Sequence, residues 1–190
     1  MMCMKKLLFV IAFFCLINTA FAESTNFTNN YFDFNYDSTW NFIEPSESNA
    51  ISSDKSVAFE SADGKTLVIL IVLSANDYAA LGKIENVPQL KVNKQENSSL
   101  FGIPGKKYYF TADIDDGKLN GEVTISEVKG AYFYKLLLLS NSENYSTFTI
   151  QNNMGVEIPN SDAQSGNFFS GIIDWIMSIL KWVLSLIGIN

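Results

Sequence analysis

"KTLVILIVLSA" (residues 65–75) is the stretch from which the rest of the chain can be ordered. Its apolar run is unbroken from Leu67 to Leu73 and rich in Val and Ile. A strand with one wet face alternates apolar and polar residues. A short β-branched run with no polar member, bounded by turn residues, belongs in the middle of a sheet with both faces covered. Asp63-Gly64, just upstream, is a tight-hairpin signal and joins the run to "SVAFES" (residues 56–61).

Other segments read as strands working outward from this centre. "YFDFNY" (residues 31–36) places Phe32, Phe34 and Tyr36 on one side and Asp33 and Asn35 on the other, a period of two. "DST" then turns the chain, and Trp40-Asn41-Phe42 resumes it. Downstream, "NDYAALGKI" (residues 76–84) is a helix candidate, with Asn76 or Asp77 as its cap and Gly82 at its end. "QLKVNKQENSSL" (residues 89–100) reads as an amphipathic or edge strand. "KKYYFTADI" and "GEVTISEV" hinge at "DDGK", and "KGAYFYKLLLL" returns through Lys129-Gly130. "SENYSTFTIQNNMGV" is expected to close the domain as a short helix, with Tyr145, Phe148 and Met154 on one side. The expected class is α+β: an antiparallel sheet of six or seven strands with short helices packed on it, plus a separate C-terminal hydrophobic helix.

The N-terminus has the order of a secretory signal: Lys5 and Lys6, an apolar run from Leu7 to Ile17, then Ala20-Phe21-Ala22 as cleavage site. The expected organisation is a signal peptide over 1–22, the α+β domain over 23–158, a polar linker over 159–167 and a hydrophobic helix over 168–190. Cleavage would remove both cysteines, Cys3 and Cys15, from a chain that has no histidine. Cysteine nucleophiles, Cys/His zinc sites and Ser-His-Asp triads are then excluded. Cleavage would also leave 11 of the 13 basic residues against 20 acidic ones, a net charge of −9. A chain this acidic, without arginine, is not expected to bind nucleic acid.

Three stretches resemble the PsbP family, whose name-giving member is an extrinsic subunit of photosystem II: "YFDFNYDSTWNFIEP" (residues 31–45), "GIPGKKYYF" (102–110), with "GIPG" taken as a hairpin, and "KGAYFYKLLLLS" (129–140). They are similar to the family's opening strand-turn-strand, its Gly-x-Pro-Gly hairpin and its late strand. The likeness spans about residues 30–158, and Asp37 stands where the family's turn has proline. It implies an antiparallel sheet with helices on its faces. It implies little about activity, since most exported relatives have none assigned.

Several residue groups are candidate sites. Asp113, Asp115 and Asp116 before Gly117 suggest calcium, but the spacing of a calcium loop is missing and an Asp-Gly turn accounts for them. Phe32, Phe34, Trp40, Tyr108, Tyr109, Phe110, Tyr132, Phe133 and Tyr134 are candidates for a ligand groove, although alternation sends many of them into a core. Asp33 with Asp37 is a carboxylate pair on a strand face. Asn26, Asn97 and Asn144 each open an N-x-Ser/Thr triplet and are candidate glycosylation acceptors. No nucleophile elbow and no phosphate loop are present, so no cofactor is expected and the domain is read as non-catalytic.

The tail, "FFSGIIDWIMSILKWVLSLIGIN", decides the expected location. On a helix, Ser170, Asp174, Ser178, Lys181 and Ser185 form one polar stripe within an arc of about 80°. Phe168, Phe169, Ile172, Ile173, Trp175, Ile176, Ile179, Leu180, Trp182, Val183, Leu184, Leu186 and Ile187 cover the rest and are expected to contact a membrane. A span is long enough: 22 residues reach about 33 Å against a hydrocarbon core of roughly 30 Å. Asp174 and Lys181 cost about as much at the bilayer centre as the apolar residues return, so spanning and lying flat both stay open. The expectation is an exported, non-catalytic domain on the outer face of the cytoplasmic membrane. Its tail holds it there, and it acts in binding or assembly with an envelope partner. The alternative is a membrane-active protein whose tail self-associates or perturbs bilayers.

Overall fold

The computed structural model describes residues 24–44, 55–82, 84, 90–114 and 117–151. The leader, the linker and the C-terminal segment carrying the expected membrane helix lie outside these residues, as do Asp115, Asp116 and Met154.

Among the described residues nine strands form two antiparallel sheets: β1 (Ser24–Thr28), β2 (Asp33–Asp37), β3 (Trp40–Phe42), β4 (Ser56–Ser61), β5 (Thr66–Ser74), β6 (Leu90–Leu100), β7 (Ile103–Ile114), β8 (Gly117–Ser126) and β9 (Tyr132–Ser140). The main sheet has seven strands in the order β3-β4-β5-β9-β8-β7-β6, and β1 pairs with β2 alone. β5 lies inside the main sheet, and Leu67 to Val72 are all buried, as the unbroken apolar run requires.

Strand parity splits the core in two. Val68, Leu70 and Val72 point to one face with Tyr132, Tyr134, Val57, Phe59 and Trp40. The β1–β2 pair lies over this face and inserts Phe32, Phe34 and Tyr36, while Asp33 and Asn35 point away. The resulting cluster is strongly aromatic: Tyr36 and Phe59 lie 4.6 Å apart between ring centroids, and Phe101 and Tyr134 5.1 Å. Leu67, Ile69 and Ile71 point to the other face with Phe110, Leu119, Ile125 and Phe133. A 3-10 turn (Ala75–Asp77) and one α-turn, α1 (Tyr78–Leu81), partly cover that side, with Tyr78 edge-on to Phe133.

Three expectations change, and one strand is new. The helix over 76–84 is a 3-10 turn plus a single α-turn, capped by Ser74, whose Oγ accepts from the Asn76 N–H at 3.3 Å; Asp77 makes no side-chain cap. Among the described residues of the expected closing segment, 142–151, there is no helix. Residues 145–150 have no regular secondary structure, with Phe148 buried and Thr147 and Thr149 exposed, and Gln151 exchanges backbone hydrogen bonds with Asn35 of β2. β-Branched Thr147, Thr149 and Ile150 and a free strand edge favour this over a helical turn. The β6–β7 turn is at Phe101-Gly102, with φ of 53° and 70°, so Pro104 and Gly105 of "GIPG" lie within β7. β1 was not anticipated.

Candidate binding face

The β1–β2 cover stops short of the far end of the main sheet. There, on the same face as the aromatic core, β6, β7 and β8 present polar residues instead. Alternation along β7 turns Lys107, Tyr109 and Thr111 to this side, and register sets Lys94 and Glu96 of β6 and Glu122 and Thr124 of β8 beside them. One row across the strands reads Lys94, Tyr109, Glu122, Leu138; the next reads Glu96, Lys107, Thr124, Leu136. Each row passes from an exposed edge to the apolar centre.

Contacts run diagonally between the two rows, where long side chains on one sheet face can meet. Lys94 Nζ pairs with Glu96 Oε2 at 2.6 Å, and the Tyr109 hydroxyl donates to Glu96 Oε1 at 2.6 Å. Lys107 Nζ pairs with Glu122 Oε1 at 3.0 Å. The ammonium groups of Lys94 and Lys107 lie 4.9 and 5.8 Å from the Tyr109 ring centroid, so the ring is flanked by two cations.

The protonation states follow from these partners. The hydrogen bond from Lys94, then that from Tyr109, holds the Glu96 carboxyl below the usual range. The same bond to Glu96 pushes the Tyr109 phenol up to about 12. Tyr145, half-buried beside this face, is raised by burial and then by Glu122. The arrangement therefore keeps alternating charges in fixed positions and holds its phenols protonated, as suits recognition by charge and hydrogen bonding.

The residues singled out in the sequence do not converge here, Tyr109 excepted. Phe32, Phe34, Trp40, Tyr132 and Tyr134 belong to the aromatic core, and Tyr108, Phe110 and Phe133 to the opposite one, so the aromatics line no common groove. Asp33 accepts from Thr28 Oγ1 at 2.8 Å and Asn26 Nδ2 at 3.2 Å, and Asp37 accepts from the Thr39 N–H at 2.9 Å. Four residues of strand separate these carboxylates by about 13 Å, too far to share a proton. Asp113 is exposed opposite Lys118, and among the described residues no three carboxylates gather as a metal site. Asn26, Asn97 and Asn144 are all exposed, and the Asn26 amide also donates to Asn35 Oδ1 at 3.0 Å. Sequence reasoning passed over Lys94, Glu96, Lys107 and Glu122; only the cross-strand register relates them. Among the described residues no helix is long and apolar enough to cross a membrane.

No protein-family model matches the chain, and no curated protein matches it. Solved structures do. The solution structure of cyanobacterial PsbP (CyanoP) from Synechocystis sp. PCC 6803 is similar at 13% identity and a TM-score of 0.43, covering 66% of this chain and 84% of that one. A Bacteroides thetaiotaomicron crystal structure is similar at 13% identity and a TM-score of 0.44, covering 67% of this chain but only 48% of its own. A Pseudomonas aeruginosa protein of unknown function is similar at 13% identity and a TM-score of 0.33. A PsbP protein thus stands among the similar structures, and PsbP is the family whose motifs the sequence resembles. At this identity no residue's role passes from those proteins to this chain.

Proposed function

We propose that this protein is an exported, non-catalytic binding domain, tethered to the outer face of the cytoplasmic membrane by its C-terminal helix and acting in assembly with an envelope partner. The observation that carries the binding role is the contrast along one sheet face: aromatic and covered over β3, β4, β5 and β9, polar and ion-paired over β6 to β8. Fixed, paired charges on a rigid sheet supply orientation and specificity without demanding proton transfer. The tether is supported by the tail sequence, whose wide apolar surface exceeds what a small domain's surface helix presents.

Fractionation of cells expressing the full chain, and of cells expressing a chain stopped after Asn160, tests the tether. The expected result is that the full chain stays with membranes through a carbonate wash at high pH while the shorter one is released. Release of both without any wash would overturn the tether. Vesicle leakage caused by a peptide of residues 168–190 would favour the membrane-active reading instead.

A further inference from the structure

β6 is an outer strand of the main sheet, with β7 its sole neighbour among the described residues. Its free side is regular over Lys94–Leu100, beyond the bulge between Val92 and Lys94. The turn fixes which backbone groups are free. Leu100 and Ile103 flank a two-residue turn whose residues both have positive φ, so these two exchange hydrogen bonds. Counting back, Ser98, Glu96 and Lys94 turn their N–H and C=O groups toward β7, while Ser99, Asn97 and Gln95 turn theirs outward.

The charge on this edge opposes that of the rest of the chain. Residues 90–112 hold Lys91, Lys94, Lys106 and Lys107 against one acid, Glu96, a net +3, which leaves −10 for the remainder of a chain of net charge −7. Lys94 and Lys107 have carboxylate partners; among the described residues Lys91 and Lys106 form no ion pair. Lysines on an edge strand oppose pairing with a second, equally basic edge. They favour an acidic one. A lipid surface would satisfy the lysines but not the row of backbone donors and acceptors.

We propose that β6 is a docking edge for an extended acidic peptide segment of a partner protein. The segment adds as an eighth strand beside Lys94–Leu100 and sets its carboxylates near Lys91 and Lys94 on one sheet face or near Lys106 on the other. This rests on the reading of the chain as a binding domain and names the chemistry of its partner.

The test uses the full-length protein in non-ionic detergent micelles and two seven-residue peptides, Thr-Glu-Val-Glu-Thr-Glu-Val and the same peptide with Lys in place of Glu. The acidic peptide is expected to bind at least tenfold more tightly and to slow deuterium exchange at residues 95–99. The Asn97→Pro variant removes an N–H that β7 does not use, so the sheet survives, which protected amides in β5 and β9 would verify. It is expected to weaken binding at least tenfold, and Lys91→Glu with Lys106→Glu at least fivefold. Binding that falls on charge reversal but ignores Asn97→Pro would overturn strand addition. So would equal binding of both peptides, no binding of the acidic one, self-association through β6 on sedimentation, or capture only by vesicles containing phosphatidylglycerol. Carbonate fractionation of the same preparations reads the tether separately, so the edge and the tether can fail independently.

Discussion

Lys107 Nζ lies 3.0 Å from Glu122 Oε1 across the β7–β8 pair, with the lysine side chain 25% exposed and the glutamate 9%. The carboxylate is therefore largely removed from water, and the ammonium is its replacement for hydration. Lys107→Met strands that carboxylate and is expected to cost about 1–3 kcal/mol in chemical denaturation. Lys107→Met combined with Glu122→Leu should recover most of the loss. A double variant as unstable as the two losses added together would show that the pair is not coupled.

Tyr109 reports on the same network through its pH dependence. Its phenol titrates near 12 in the fold, against 10.0 ordinarily, chiefly because it donates to Glu96. Between those values the unfolded chain has released the proton and the folded chain has kept it, so stability falls as pH rises through the window. Tyr109→Phe is expected to flatten that fall. At neutral pH it should cost about 0.5–1 kcal/mol, the usual value of a part-exposed hydrogen bond. Urea denaturation of both proteins at pH 7, 10 and 11.5 measures each effect.

On the opposite face, Lys135 of β9 lies between Ile71 and Ile125, with no ion pair among the described residues. Burial lowers its ammonium from 10.5 to about 8. Here the sign is the reverse of a stabilising pair. Below pH 8 the fold carries a charged lysine in apolar surroundings, and stability rises as pH climbs from 8 toward 10.5 because the unfolded chain holds the proton longer. Lys135→Met should stabilise the protein by roughly 1–3 kcal/mol at pH 7, and the gap between the two proteins should close by about pH 10.5. A gap independent of pH would assign the gain to packing alone.

Gly105 sits opposite Ser126, where β7 leaves no room for a side chain beside β8. A Cβ there would overlap the Ile125 carbonyl oxygen and come within 2.8 Å of the Ser126 Cα, both backbone atoms that cannot rotate aside. Gly105→Ala is expected to cost at least about 2 kcal/mol, with amide exchange in β8 accelerated first. A fully stable alanine variant would mean that the two strands can part without loss.

What the sequence displayed well was local. The apolar run of β5, the Asp63-Gly64 turn, the alternation of Phe32, Phe34 and Tyr36, and the return through Lys129-Gly130 each depend on neighbours within a few residues. What it hid depended on distant partners. β1 is polar and exposed apart from Phe27, and only its ladder to β2 makes it a strand. The spacing of Tyr145 and Phe148 suits a helix, but the segment forms neither helix nor strand, and its tie to β2 is one backbone bridge between Gln151 and Asn35. Phe101 adopts a positive φ that its residue type disfavours because its ring lies in the aromatic core, so Gly102 and Pro104 pointed to a turn that actually begins a residue earlier. The polar face stayed invisible because Lys107 and Glu122 stand fifteen positions apart and meet only once the β7–β8 register is known.

The central β5–β9 pairing has a consequence for the order in which the chain can fold. Thr66 lies opposite Ser140, 74 residues further on, and this ladder joins the β3–β4–β5 half of the sheet to the β6–β7–β8 half. A chain emerging from its N-terminus can form the β4–β5 and β6–β7 hairpins early. Neither half gains its central neighbour until residue 140 is available. Closing so large a loop is entropically costly and places the molecule among slow folders. Until that moment the two halves stay apart, held only by local hairpins that are easily unravelled, which is the form a polypeptide must keep if it is to be threaded through a narrow channel before it folds.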